Sequence, residues 1–115
     1  MKKLFIAAFI FVSTFTTNSF AEVKMGIILG FTGPIESLTP AMAASAELAF
    51  KEASDSGSLL GGEKISVIRA DSTCVDSAAA TAAAEGVISQ GVAAIMGADC
   101  SGVTGAIASN VAVPN

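Results

Sequence analysis

The sequence predicts an α/β fold on a parallel sheet, and three observations carry that prediction. Short apolar runs recur at Val23–Gly30, Lys64–Ala70 and Val92–Met96. The stretches after them bring apolar residues back at three- and four-residue spacing, as one face of a helix does. Glycines punctuate the joins. Strands alternating with helices at this spacing call for crossover connections, and so for strands that run in one direction.

Met1-Lys2-Lys3 is followed by an unbroken apolar run, Leu4 to Val12, then a mostly polar stretch, 13–18, and Ser19-Phe20-Ala21. A basic start, a short apolar run and small residues at −3 and −1 are the parts of a secretory signal peptide, with cleavage after Ala21. The run is roughly half the ~20 residues that a membrane span needs. No cysteine stands at the cleavage point to accept a lipid, so the expected product, residues 22–115, is soluble in the periplasm and inserts in no membrane. The ending Val113-Pro114-Asn115 reads as a chain heading into another strand. The expectation is therefore the front part of a longer protein.

Val23–Gly30 suits a buried parallel strand. Thr39 and Pro40 supply an N-cap and a first-turn proline for a helix to about Ser56, with Met42, Ser45 or Ala46, Ala49 and Ala53 on its apolar face. Gly57, Gly61 and Gly62 turn the chain into the strand Lys64–Ala70. Asp76 or Ser77 caps the next helix, to about Gln90, whose face of Ala79, Ala80, Ala83 and Val87 permits close approach to a sheet. Val92–Met96 is the third strand, and a third helix is expected from about Gly102 to Asn110.

The full chain carries a net charge of −4 and no histidine. Residues 1–21 contain Lys2 and Lys3 and no acid, so without them the charge moves from −4 to −6. An acidic chain with Lys24, Lys51, Lys64 and Arg69 scattered singly excludes nucleic acid and anionic membrane surfaces as natural partners. No metal is expected, because two isolated sulfurs without histidine are too few ligands. An enzyme is not expected either. The commonest general base is missing, no Gly-x-Ser-x-Gly elbow occurs, and neither the dinucleotide nor the P-loop glycine pattern is present. Asp71 reads as a strand-end cap, and Glu36 and Asp99 as solvated loop charges.

In an open parallel sheet, ligands bind at the carboxyl edge where strand order reverses. If the first strand lies between the other two, loops 31–39 and 97–103 face each other there. Ser101 would cap the third helix, with the N–H groups of Gly102 and Val103 turned outward to favour an anion. Capping alone is the competing reading. Cys74 and Cys100 have two readings as well. Free thiols fit poorly in an oxidising compartment, whereas a bridge would span flanking strands roughly 9.6 Å apart, against the about 5–6 Å that bridged Cα atoms require. Each cysteine stands a few residues past its strand, which gives both loops room to lean inward.

These residues resemble a known family. "VKMGIILGFTGP" from Val23, "ADSTC" from Ala70, "VAAIMGADCSGVTGAIA" from Val92 and "VAVPN" from Val111 are similar to the start of a type I periplasmic substrate-binding protein of the branched-chain amino acid (leucine/isoleucine/valine) ABC transporter type. The resemblance spans residues 22–115. It implies the front part of the first of two lobes, a three-layer parallel-sheet lobe left incomplete. It further implies a disulfide between Cys74 and Cys100, and an α-carboxylate held by the Ser101 hydroxyl, next to the N–H groups of Gly102 and Val103. Leu38 would lie beside the ligand side chain. No aromatic residue stands between Pro34 and Thr39, a departure from the branched-chain pattern. The function implied is delivery of an amino acid or related small carboxylate to an inner-membrane ABC permease, without a cofactor. The alternative is a ligand-sensing receptor domain of the same fold.

Overall fold

A computed structural model describes residues 22–114; the expected signal peptide, residues 1–21, lies outside the described residues. Three strands, β1 (Glu22–Leu29), β2 (Lys64–Asp71) and β3 (Ala94–Gly97), alternate with helices α1 (Thr39–Asp55), α2 (Ser77–Ile88) and α3 (Ser101–Ile107). All pairings are parallel, in the order β2-β1-β3. β1 is thus central, and strand order reverses between β1 and β3.

Alternation along β1 divides the core. Ile27 and Leu29 face α1, where Ala43, Ala46, Phe50, Val67 and Met96 pack with them. Ile28 faces the other way, into a cluster of Ala80, Ala84, Val87, Val103, Ile107 and Val111 from α2, α3 and the turn that follows α3. Both faces of the sheet are covered, which gives the three layers and explains why β1 reads as a continuous apolar run. Gly26 lets α2 come close, since a Cβ there would stand 2.6 Å from Val87 Cγ1.

The observed elements differ from expectation in five places. Thr39 is the first residue of α1 and not its cap; Leu38 holds the cap position, without a side-chain bond. The Thr39 hydroxyl points inward and donates to Gly30 O at 3.2 Å. That anchor turns the helix so that Thr39, Ala43, Ala46, Phe50 and Ser54 face the sheet, leaving Met42 41 % exposed and Ala49 exposed. On α2, Asp76 is the cap, accepting from the N–H groups of Ala78 and Ala79 at 2.9 and 3.0 Å. Its buried face runs through Ala80, Ala84 and Val87, with Ala83 only half-buried.

β3 starts two residues later than expected, although Ala93 N–H still donates to Lys24 O at 2.8 Å. Val111–Val113 does not enter a strand. α3 passes into a π-helical turn, Ala108–Ala112, which keeps Val103, Ile107 and Val111 at four-residue spacing on one buried face. Burial of Val111 in that cluster favours continued helix there.

Candidate functional site

The three strand-to-helix loops meet at the carboxyl end of β1, around Gly30. Partners across β1 and β3 keep a constant offset, from Met25 with Ala94 to Ile28 with Gly97. The β3 backbone then leaves the sheet at Gly97, where φ is +125° and a Cβ would lie 1.9 Å from Ile28 O. Only glycine fits there. Asp99 stands at the same offset from Gly30, 69 residues, and both of its carboxylate oxygens accept the Gly30 N–H, at 3.1 and 3.0 Å. A side chain thus supplies the acceptor that the backbone ladder would have offered. Asp99 is not the solvated loop charge expected from its position; Glu36 is exposed.

On the other side of Gly30, Cys74 and Cys100 are disulfide-bonded with Cα atoms 5.2 Å apart. Cys74 lies three residues beyond β2 and Cys100 three beyond β3. Thr73 and Cys74 have φ of 58° and 69°, a left-handed turn that brings the chain back over β1. A Cβ on Gly30 would stand 3.2 Å from Cys74 Cβ. The bridge therefore crosses above a residue without a side chain, which removes the spacing objection.

Asp71 closes the first two loops together. It accepts from Thr32 Oγ1 at 2.5 Å, Thr32 N–H at 3.3 Å and Thr73 N–H at 2.8 Å. Burial pushes its carboxyl up, but the hydrogen bonds from Thr32 and from the Thr73, Thr32 and Phe31 backbone outweigh it and hold the pKa below the ordinary value. Asp71 is the strand-end cap that its position predicts.

The first helical bond of α3 runs from Thr104 N–H to Cys100 O, 2.9 Å, so Cys100 and not Ser101 is the cap residue. Ser101 is the first helical residue, and it is exposed. No hydrogen bond engages its hydroxyl among the described residues. This disposes of capping as the role of Ser101. The N–H groups of Ser101, Gly102 and Val103 precede the first helical bond and have no acceptor within the helix. Gly102 has open space where a Cβ would be. The Val103 side chain is buried in the core, so Val103 has only its backbone to offer a ligand. Together these groups form a small, electropositive donor set suited to a carboxylate.

Leu38, across the reversal point in the first loop, is 60 % exposed. A groove of about 150 Å³ lies between β3 and α3, lined by Ile95, Ala98, Thr104, Ile107 and Ala112 among others; Ser101, Gly102 and Leu38 are not among its walls. Among the described residues no cluster of His, Cys, Asp or Glu could hold a metal ion, and no helix is long and apolar enough to cross a membrane.

Sequence reasoning placed the two cysteines in loops that can meet but missed the hydrogen bonds by which Asp99 and Thr39 hold Gly30. The signal for Asp99 is its spacing, since any acceptor 69 residues beyond Gly30 falls in register once β1 and β3 pair. Residues 22–114 match a family model described as periplasmic binding protein. No curated protein matches the chain.

Proposed function

Because the chain belongs to the periplasmic binding protein family, we propose that it captures an amino acid or related small carboxylate in the periplasm and delivers it to an inner-membrane ABC permease. The observation that carries this reading is the unengaged Ser101 hydroxyl beside the leading N–H groups of α3. In the proposed pose the ligand's carboxylate accepts from Ser101 Oγ and from the N–H groups at Gly102 and Val103. Leu38 offers apolar surface to the rest of the ligand. The role is binding and not catalysis, since the set contains donors and no group poised to move a proton.

Calorimetric titration of the full-length protein against L-amino acids, their α-carboxamides and simple carboxylates tests this. A panel member with a free carboxylate should bind, its carboxamide should bind far more weakly, and Ser101→Ala should weaken binding about tenfold to a hundredfold, the range for a hydrogen bond to a charged group. Absence of binding across the panel, or an unaffected Ser101→Ala variant, would sink the proposal.

A further inference from the structure

We propose that Asp99 is a positioning residue for this site: by holding Gly30 N–H it sets where the N-terminus of α3 stands relative to β1. The inference rests on the carboxylate reading of Ser101. Backbone pairing between β3 and β1 stops at Gly97, four residues before Ser101. In the intervening turn, Thr104 Oγ1 donates to Ala98 O and Cys100 O at 3.1 and 2.9 Å, which braces the turn on its own helix. The disulfide ties Cys100 to the loop after β2. Asp99 alone, among the described residues, joins the turn to β1 by hydrogen bonds, and it does so in the register of the sheet.

A negative charge two residues from a carboxylate site repels the ligand, so charge cannot be what the site gains from Asp99. What remains is an acceptor at a fixed distance from the backbone. Asparagine keeps an acceptor at the same reach and drops the charge. Glutamate keeps the charge and moves the acceptor out by about one carbon–carbon bond, ~1.5 Å. Alanine removes the acceptor. A residue that merely stabilised the fold would not distinguish these variants in the affinity of the folded protein.

The test is titration of full-length wild type, D99N, D99E and D99A with the panel of L-amino acids and simple carboxylates, with thermal unfolding of each variant recorded alongside. D99N should bind within about threefold of wild type or tighter, while D99E and D99A should bind at least tenfold more weakly. If D99A does not fold, the contrast between D99N and D99E carries the test. The Gly30 amide resonance should keep its hydrogen-bonded shift in D99N and lose it in D99E. Wild-type affinity in D99E or D99A, or equal loss in D99N and D99E, overturns the proposal while leaving the site reading intact. Failure of wild type to bind any panel member overturns the site reading, and this proposal with it.

Discussion

Gly30 has no side chain, yet three loops close on it. Its N–H goes to Asp99, its carbonyl accepts from Thr39, and Cys74 crosses above its Cα. That Ser101 stands at a strand-to-helix turn was visible in the sequence, because an apolar run ends just before it. The bond from Gly30 N–H to Asp99 was not visible, because a lone aspartate in a loop carries no sign of a partner 69 residues away. Asp71, by contrast, was legible as a strand-end cap, since its partners at residues 32 and 73 follow from the pairing of adjacent loops. Its lowered folded pKa has a consequence of definite sign. Stability from Asp71 is present above the ordinary carboxylate range and is lost as pH falls through the folded pKa. Asp71→Asn should therefore be less stable than wild type at pH 7, and the gap should narrow as pH falls toward 3. Urea midpoints for both proteins across that range check it; a gap that widens would contradict the assignment.

At the level of elements, helices and strands were readable from periodicity, but the rotation of α1 was not. Met42 and Ala49 lie on a plausible apolar face, and the decision between faces falls to the Thr39 anchor and to Phe50 packing beneath the sheet. Such a choice depends on a contact with Gly30, which no local pattern encodes. α2 was read more closely because its contact surface is set by size. Gly26 and the small alanines admit Val87 against β1. Gly26→Ala should destabilise the protein by about 1–3 kcal/mol through overpacking. In a Val87→Ala background the same substitution should cost less, with a coupling of about 0.5–3 kcal/mol. A double-mutant cycle by chemical denaturation measures this, and additive costs would mean that the two positions do not meet.

Across the whole molecule, the fold class and layer order were legible because each strand reads as a buried run and each crossover as an amphipathic stretch. The strand expected after residue 110 was misread: Val111 to Val113 looks like a strand start, but Val111 fills the four-residue series of α3. The disulfide acts at this scale. It closes a separation of 26 residues, for which loop-closure entropy gives about 3.5 kcal/mol. Reduction and alkylation should lower the unfolding free energy by up to that amount. The mass of the unreduced protein should be two hydrogens below the thiol form, and two alkylatable thiols before reduction would refute the bridge.

The central place of β1 has a consequence for how the chain reaches this state. β1 is synthesised before its partners, yet its β3 neighbour follows 69 residues later, and the apolar cover over Ile28 is complete only with α3 and the turn after it. A β1–α1–β2 unit on its own would leave that face of the sheet bare. Pairings of such long sequence separation form late, so the sheet closes only once nearly all of residues 22–114 are free to fold.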